Sequence, residues 1–393
     1  MQQMKSWKLW IVFIAIFLVS LNLRPAVTSI GPLLSTIGED LGVSSTKMSL
    51  LTSIPVFCMG LFAPLAVPFQ KKFGYRAAIN GLVLCIASAT FARILFDSYM
   101  GLIMTSFIAG FSIAIISPMI NAFIKEKFGD KMAPVIGLYS FAMGAGATIS
   151  AGLTGVFYKI FDNNWPIALS IWGVLAIVAI IVWTIAAAKK EPITAEHVVE
   201  DEARNPWKTK SAWLILIYFG LQTSLFFSLT TWLSSMAMEQ GMTLLTAGSV
   251  LTTMSIVQLM GNIAIPMLVG KYPNRISWLF GLITLGLVGA LVLFIDTSWS
   301  IWLGAMILGA ALSGLFPIGL MLPLDEARNN REANEWSSMV LSGGFMMSAI
   351  LPLVIGVVFD ATGTHAYTKV IFVGLFILMF ISIFVMQQQK RRV

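Results

Sequence analysis

The chain has 393 residues, of which 58% are apolar and only 11% are charged. Soluble domains are close to half apolar and about one quarter charged. A water-soluble fold cannot bury so much apolar surface, so the bilayer must act as the solvent for most of the chain. The net charge of +7 comes from short basic clusters between apolar segments, a distribution that argues against a nucleic-acid-binding face.

Twelve apolar segments are long enough to cross the roughly 30 Å hydrocarbon core of a bilayer as helices. In chain order, helices 1 to 12 are predicted near residues 8–36, 47–69, 76–96, 99–124, 132–158, 166–187, 211–235, 246–270, 276–295, 299–323, 336–359 and 367–387. The longest polar stretch, residues 189–210, follows helix 6 and is predicted to be a cytoplasmic linker. Pro118 in helix 4 and Pro317 in helix 10 occupy similar places, as internal repeats would require. The sequence therefore predicts an all-α membrane protein whose twelve transmembrane helices form two pseudo-symmetric six-helix bundles, residues 1–188 and 211–393.

The distribution of lysine and arginine predicts the orientation of the chain. If the N-terminus faces the cytoplasm, twenty basic residues fall in cytoplasmic segments and four fall outside. Those four are Lys47, Arg93, Lys159 and Lys369. Cytoplasmic loops of membrane proteins carry an excess of basic residues. We therefore expect a multi-pass protein of the inner or plasma membrane, with both termini in the cytoplasm and a first helix that is retained rather than cleaved.

The sequence lacks the residue patterns of common cofactor sites. No P-loop, dinucleotide-binding motif or metal-ligand cluster is present, and Cys58 and Cys85 lie inside apolar segments as small core residues. Apart from one arginine, only isolated hydroxyl and amide groups occur at membrane depth, so the clustered groups of an enzyme active site are missing. We expect no cofactor, no enzymatic activity, and a monomer whose partners are the lipid bilayer and a small-molecule substrate.

Arg24 is a basic residue at membrane depth. It lies 16 residues after Lys8, or about 24 Å along a helix, which is near the middle of the bilayer. An arginine there costs from about 2.5 to well over 10 kcal/mol, so it is expected to face the interior of the bundle. Its planar guanidinium suits an anion that binds at two points. The alternative is a structural role, in which Arg24 caps carbonyls freed by Pro25 or by the helix end near Gly31 and Pro32.

The eighteen acidic residues all avoid the middle of the membrane in the predicted topology. Each falls in a loop or near a helix end, and His197 and His365 are also predicted in loops. Arg24 thus has no predicted acidic partner, so the central cavity should be positive and favour an anionic or strongly electronegative substrate. The chain also lacks an embedded acid or histidine relay for proton coupling. A proton carried with the substrate, a carboxylate at the rim, facilitated diffusion and anion exchange are the alternatives left open.

Three stretches of sequence resemble one family of transporters. They are NLRPAVTSIGPLL in helix 1 (residues 22–34), SAWLILIYFGLQTSLFFSLTTWL in helix 7 (211–233), and residues 120–140 with INAFIKEKF and GLYS. Over essentially its whole length, the chain resembles the cyanate permease and 2-nitroimidazole transporter family of the major facilitator superfamily. The resemblance implies transport of a small solute by alternating access. It also implies a cavity lined by helices 1, 4, 7 and 10, with contributions from helices 2, 5, 8 and 11.

The resemblance implies a set of substrate-binding residues on these helices. Asn22 and Arg24 would face the substrate. Gln222 would lie opposite them, and Phe226, one turn further along, would close over a small ligand. The other candidates on the cavity-lining helices are Ser117, Tyr139, Gln258, Asn262, Phe316 and Phe345. For these amides, hydroxyls and rings, interhelical hydrogen bonds or plain packing are the alternatives.

The resemblance also implies a gate at the cytoplasmic end. In the superfamily, the loop between helices 2 and 3 places an acid before a basic, glycine-containing run. Here Gly74 and Arg76 match that run, whereas Lys71 stands in the position of the acid. Asn121, one turn before Lys125 on helix 4, is a further gate candidate. Helix 5 is rich in glycine, and its glycines are predicted to let the two halves approach closely.

The sequence therefore predicts a secondary active or facilitative transporter of a small anionic or polar organic solute, such as cyanate or a nitroimidazole-like compound. Arg24 would supply the central anion-binding charge. The alternative is a proton-coupled exporter of drugs or metabolites, which would more naturally carry a carboxylate inside the membrane.

Overall fold

A computed structural model describes residues 6–128, 132–187, 204–271, 274–328 and 330–392. All regular elements in these ranges are helices, which confirms the predicted all-α class. Most of the predicted linker, including His197, lies outside the described residues. The division into residues 1–188, 189–210 and 211–393 therefore stays a prediction at its boundaries.

The helices follow the predicted order, and several of them are interrupted. In the first half they are Ser6–Asn22, Pro25–Thr28, Gly31–Leu33 and Leu34–Leu41 (helix 1), Ser45–Leu61 and Ala63–Leu65 (helix 2), Ala66–Ala92 (the end of helix 2 and helix 3), Tyr99–Phe128 (helix 4), Met132–Ile160 (helix 5), and Trp165–Ser170 with Gly173–Ala186 (helix 6). In the second half they are Lys210–Glu239 (helix 7), Leu244–Lys271 (helix 8), Arg275–Val292 with Leu293–Ile295 (helix 9), Ser298–Glu326 (helix 10), Asn330–Ser348 with Ile350–Thr362 (helix 11), and Ala366–Arg392 (helix 12). A short 3-10 helix, Pro206–Lys208, precedes helix 7.

Eleven helices among the described residues are long and apolar enough to cross a membrane. The remaining predicted span, Ser45–Leu61, has 17 residues and is continued by the start of Ala66–Ala92. That second segment is not helical at Gly74, where φ is 72° and ψ is 167°. This backbone conformation is essentially restricted to glycine. Gly74 therefore lies at the turn between helices 2 and 3, inside the gap predicted between residues 69 and 76.

Helix 1 is broken in the middle, whereas the sequence predicts one span over residues 8–36. Pro25 has no backbone N–H, so the carbonyl of Leu21 loses the partner that it would have in a continuous helix. The backbone of Gly146 in helix 5 lies against that carbonyl, so closely that a side chain at Gly146 would collide with it. Arg24 is the residue that immediately precedes the short helix Pro25–Thr28.

Arg93 supplies a hydrogen bond to the second gap in helix 1. In a continuous helix, the carbonyl of Ala26 would accept a hydrogen bond from the N–H of Ile30. The Ile30 nitrogen instead donates to the carbonyl oxygen of Val27 at 3.4 Å. Nη2 of Arg93, at the end of helix 3, donates to the Ala26 carbonyl at 2.9 Å. The Arg93 side chain is fully buried. A residue that the predicted topology assigns to an extracellular segment thus supports helix 1 from inside the bundle.

The two halves pack through glycines. Helix 2 lies along helix 11, and helix 5 lies along helix 8. A Cβ atom at Gly60 would be 2.5 Å from the carbonyl oxygen of Ser342, whose hydroxyl donates to the Gly60 carbonyl at 2.6 Å. Gly144 and Gly152 of helix 5 face side chains of helix 8 at similarly short range. The predicted close approach of the halves is confirmed at these two glycines.

We call the end of the bundle that carries both termini the near end, and the opposite end the far end. The contacts between halves described above run from the far end to about the middle of helices 2, 5, 8 and 11. At the far end itself, Gly356 of helix 11 packs against the backbone of Ser45, the first residue of helix 2. The halves are therefore closed against each other at the far end.

A buried histidine connects both halves at the far end. His365 lies between helices 11 and 12 and is only 1% exposed. Its Nε2 is 3.0 Å from Oγ of Ser235, and its Nδ1 is 3.1 Å from Oγ1 of Thr368. Ser35 of helix 1 donates to the same Ser235 hydroxyl at 3.0 Å. The imidazole is thus linked to the first half through one serine.

We predict that Gly60→Ala destabilises this closed arrangement. The added methyl group must move the backbone of helix 11, and overpacking of this kind costs about 1–3 kcal/mol. Gly81→Ala is the matched control, because no atom lies within 4 Å of a Cβ at that helix position and alanine favours a helix by up to about 1 kcal/mol over glycine. Thermal unfolding in detergent should occur at a lower temperature in Gly60→Ala and at an equal or higher temperature in Gly81→Ala. Equal stability of the two variants would contradict the close packing of Gly60 against helix 11.

Acidification should destabilise the fold through His365. Burial lowers the pKa of His365 to about 4, with Glu239 opposing the shift and Lys369 adding to it, whereas an unfolded histidine titrates near pH 6.5. The unfolded chain therefore takes up a proton first as the pH falls. The stability tied to neutral His365, about 3 kcal/mol, is complete above about pH 6.5 and is lost progressively toward pH 4.

The measurement is the unfolding temperature of the wild type and of His365→Gln across that pH range. The wild type should lose stability more steeply than the variant as the pH falls. Parallel curves would assign the pH dependence to other groups.

Candidate functional site

Arg24 lies at the first break of helix 1, in the middle of the bundle. Its guanidinium carbon is 5.8 Å from the centre of the Phe227 ring on helix 7, so the cation lies over an aromatic face. Among the described residues, no carboxylate is within ion-pairing distance of Arg24. The side chain is partly exposed. It therefore meets the second half of the molecule at a place that solvent reaches.

Two hydrogen-bonded hydroxyl groups, one of which interacts with this cation, come from helices 4 and 5. Tyr139 of helix 5 hydrogen-bonds with the side chain of Ser117 on helix 4 and interacts electrostatically with Arg24. Ser117 also donates to the carbonyl of Ile113, one turn earlier, at 3.0 Å. Its oxygen is thus left to accept the Tyr139 proton. Three predicted substrate-binding residues, from helices 1, 4 and 5, are neighbours in the structure.

Phenylalanine rings from helices 7, 10 and 11 form a continuous group on the side of the second half. The ring centres of Phe227 and Phe345 are 6.4 Å apart. Those of Phe345 and Phe219 are 5.8 Å apart, and Phe316 lies 5.7 Å from Phe219. Two of the predicted residues, Phe316 and Phe345, belong to this group. The third, Phe226, packs 5.2 Å from Phe227.

The sequence does not single out the ring that lies under Arg24, which is Phe227 rather than Phe226. Neighbouring residues of a helix point about 100° apart. Hydropathy is uniform around this part of helix 7, where both residues are phenylalanine, so only the three-dimensional structure decides between them.

Gln222 is fully buried in helix 7, one turn before Phe226. Neither its Oε1 nor its Nε2 has a hydrogen-bond partner among the described residues. A buried amide without partners costs about 1–3 kcal/mol. Such a group in a native fold requires an explanation, and a polar ligand is one.

The structure gives other surroundings to three of the predicted amides. Asn22 donates to the carbonyl of Leu18 at 2.7 Å and to the carbonyl of Leu175 at 3.3 Å, which ties helix 1 to helix 6. Gln258 and Asn262 are half-buried on helix 8, and Oδ1 of Asn262 has no partner in the described part of the chain. The hydrogen bonds and ring contacts of the described residues do not join these three amides to Arg24.

The predicted gate residues lie at the near end. Gly74 forms the turn between helices 2 and 3, and Arg76, two residues later, is half-buried. Asn121 is exposed on helix 4. Two ion pairs lie at this end: Arg204 of the linker pairs with Glu332 of the second half, and Arg275 pairs with Asp325 within the second half.

A contact that the sequence does not reveal joins the halves at the far end. The two carboxylate oxygens of Asp360, near the end of helix 11, accept hydrogen bonds from the backbone N–H groups of Ser45 and Thr46 at 2.7 and 2.8 Å. These N–H groups belong to the first turn of helix 2, where a negative charge is favoured by the helix dipole. Asp360 therefore connects helix 11 to helix 2, and we call this contact the Asp360 latch.

The central group of side chains has a simple chemical character. It offers one cation, two hydroxyl groups and a set of phenyl rings, drawn from both halves. No cluster of three or more potential metal ligands occurs among the described residues. This arrangement suits non-covalent binding of a small solute that carries a negative or electronegative group.

The chain is similar over most of its length to known transport proteins. The profile of the Major Facilitator Superfamily matches residues 10–334. The uncharacterized transporter YycB of Bacillus subtilis is 26% identical over 379 residues, which are 95% of this chain and 92% of that one. The cyanate transport protein CynX of Escherichia coli is 28% identical, over 93% of this chain and 96% of its own. The 2-nitroimidazole transporter of the same species is 25% identical, over 91% of both chains.

Solved structures share the fold. The nucleoside transporter NupG superposes with a TM-score of 0.78 at 13% identity, over 95% of this chain and 99% of NupG. A bacterial homolog of the human lysosomal transporter Spinster, in an inward-facing and unoccupied conformation, gives a TM-score of 0.73 at 16% identity, over 91% of this chain and 84% of its own. At such identities the likeness concerns the fold alone, and it confirms the predicted architecture of two six-helix bundles.

We predict that Asp360→Asn loosens the far end. The substitution removes the charge and turns a donor toward the N–H groups of Ser45 and Thr46. In a background without Cys58 and Cys85, a cysteine placed at Ser35 should react several-fold faster with a maleimide in detergent when Asp360 is replaced. Asp296→Asn is the matched control, because it breaks an ion pair that lies within the second half, with Lys369. Equal labelling rates in the two variants would rule out the latch.

Proposed function

We propose that this chain, a multi-pass membrane transporter that belongs to the Major Facilitator Superfamily, moves a small anionic or polar organic solute by alternating access. Arg24 supplies the charge that binds the substrate. The observation that carries the proposal is a partly exposed cation in the middle of the bundle that has no carboxylate partner among the described residues. An arginine in this position is costly unless it serves a polar or charged partner.

The surroundings of Arg24 support an anionic partner. The Tyr139 hydroxyl interacts with the guanidinium and hydrogen-bonds with Ser117, and each of these hydroxyl groups can turn its proton toward an oxyanion once a ligand offers a better acceptor. The buried amide of Gln222 adds two groups without protein partners among the described residues. These groups stand on helices 1, 4, 5 and 7, so a ligand between them would touch both halves. Contact with both halves is what alternating access about a central site requires.

The names of two relatives support a small substrate. One is named for cyanate, which is a small anion, and the other for 2-nitroimidazole, which is a small polar heterocycle. Both match more than nine tenths of this chain. We extend to this chain the size and polarity that these two compounds share.

The charge distribution of the sequence assigns the near end to the cytoplasm. With that orientation, the conformation described above is closed toward the outside, and the substrate reaches Arg24 from the cytoplasm. Transport then requires the Asp360 latch and the glycine contacts of helices 2 and 5 to separate. A corresponding closure must form at the near end, where Gly74, Arg76 and Asn121 are the gate candidates.

A proton-coupled exporter is the alternative function. The described carboxylates all lie near helix ends, and none of them approaches Arg24. The carboxylate best placed for coupling is Asp360, because its protonation would weaken a contact between the halves. This location favours coupling through the gate over a proton relay at the substrate site.

Substitution of Arg24 tests the proposal. Hydrogen bonds to a charged group contribute about 1.5–3 kcal/mol, so Arg24→Gln should weaken substrate binding by about 10- to 100-fold. The affinity of Arg24→Lys should lie between those of Arg24→Gln and the wild type. The measurement is saturable uptake of radiolabelled cyanate and of other small anions into proteoliposomes. Lys159→Gln is the control, because Lys159 is a basic residue at the far end whose ammonium donates to the nearby Asn163 and lies over the ring of its neighbour Tyr158. Normal uptake by a folded Arg24→Gln protein would refute the role of Arg24.

A further inference from the structure

The rings of Phe219, Phe227, Phe316 and Phe345 form a surface that the role of Arg24 does not by itself explain. We call these four rings the aromatic wall. They come from helices 7, 10 and 11, and consecutive ring centres are 5.7 to 6.4 Å apart. Aromatic pairs at such distances are attractive, so the wall is a preformed surface rather than four separate side chains.

The position of the aromatic wall relates it to the cation. Phe227, at one end of the wall, is the ring that lies under the Arg24 guanidinium. Phe345 packs against the hydrophobic cores of both halves, which places it where the halves meet. Phe316 and Phe345 are partly exposed, whereas Phe219 and Phe227 are buried. Phe345 contacts Phe227 directly and is therefore the partly exposed ring of the wall next to the one under Arg24. Phe316 lies farther along the wall.

The two halves of the molecule contribute different chemistry around Arg24. The first half contributes Arg24 with the hydroxyl groups of Tyr139 and Ser117. The second half contributes phenyl rings. The amide of Gln222, on the same helix as Phe219 and Phe227, is fully buried in this conformation and adds no exposed polar group. A ligand that satisfies both sides has a charged group at one end and an apolar surface at the other.

We propose that the substrate is a monovalent anion with a flat body of about the size of one ring, that is, an aromatic or heteroaromatic carboxylate or a similar oxyanion. This inference rests on the proposed role of Arg24 and adds the class of substrate. The single positive charge of Arg24 matches one negative charge. An oxyanion uses the fork of the guanidinium and the neighbouring hydroxyl groups. The flat body packs offset or edge-on against Phe345 and Phe316.

A three-atom anion would interact with only one of the two parts of such a site, the cation or the aromatic wall. It pairs with Arg24 and leaves the exposed faces of Phe316 and Phe345 in contact with water, which is unfavourable for apolar surface. A neutral ring compound would pack against the aromatic wall but would leave Arg24 without an anionic partner. The combination of both groups in one molecule should therefore bind more tightly than either alone.

Binding of four probes to the purified full-length protein tests the proposal. The probes are benzoate, benzamide, acetate and cyanate, measured by isothermal titration calorimetry. Benzoate should bind at least about tenfold more tightly than each of the other three, because it alone has both groups. Binding of cyanate as tight as that of benzoate would overturn the proposed substrate class.

Two phenylalanine variants separate contact with the ligand from general packing. One aromatic contact changes affinity by about threefold to tenfold. Phe345→Leu should therefore weaken benzoate binding by that factor and leave acetate and cyanate unchanged. Phe380→Leu should change nothing, because Phe380 lies on helix 12 at the periphery and pairs with Phe280. Equal weakening of benzoate and acetate by Phe345→Leu would overturn the proposal, since a structural role predicts that result.

Arg24→Gln distinguishes this inference from the proposed function. If the variant loses binding of every anion while benzoate has no advantage over cyanate in the wild type, the role of Arg24 stands and the aromatic class fails. If benzoate and benzamide bind equally well and Arg24→Gln changes neither, both proposals fail. Tight benzoate binding that requires both Arg24 and Phe345 supports both.

Discussion

The placement of one cation in the middle of the bundle constrains the rest of the structure. A guanidinium at this depth costs from about 2.5 to well over 10 kcal/mol when it faces lipid. Helix 1 must therefore turn Arg24 toward the second half, and the second half must offer a surface that tolerates a positive charge. The face of the Phe227 ring is such a surface. The position of Arg24, the break in helix 1 and the aromatic side of the second half therefore depend on one another.

The break in helix 1 leaves two backbone carbonyls without their helical hydrogen-bond partners. A carbonyl without a partner inside a membrane protein costs several kcal/mol. The carbonyl of Leu21 is shielded by the close backbone of Gly146, and that of Ala26 accepts a hydrogen bond from Arg93. Arg93 is therefore a second buried cation, but its Nη2 is already engaged by the backbone. Of these two arginines, Arg24 is the one whose guanidinium has no hydrogen bond among the described residues and is available to a ligand.

The sequence predicts the depth of residues much better than the direction in which they point. The spans, the two halves, the central position of Arg24 and the location of acids near helix ends follow from hydropathy and from 1.5 Å per residue. Direction around a helix depends on rotation by about 100° per residue, which uniform apolar segments do not record. The prediction that Asn22 and Phe226 face the substrate rests on the family resemblance, which does not record these directions, and the structure turns Asn22 toward helix 6 and brings Phe227 under Arg24.

Contacts between distant residues are also absent from the local pattern. Arg93 follows an apolar span as any residue of an extracellular loop would, and its burial depends on the gap in helix 1, which is 67 positions away. Asp360 and the start of helix 2 are separated by more than 300 positions. Each segment carries a recognisable local signal, an acid near a helix end and a serine-rich helix start. The pairing of the two is a property of the folded chain.

The far-end closure is built from contacts that separate at low cost. A carrier must exchange between two conformations that differ by only a few kcal/mol. The Asp360 latch binds N–H groups of the first turn of helix 2, which have no partner within the helix and which water can satisfy once the latch opens. The glycine contacts at Gly60 and Gly356 bring backbones together without interlocking long side chains. Opening therefore exposes few polar groups that water cannot reach. The proposed anion at Arg24 would contact both halves and so bias the equilibrium.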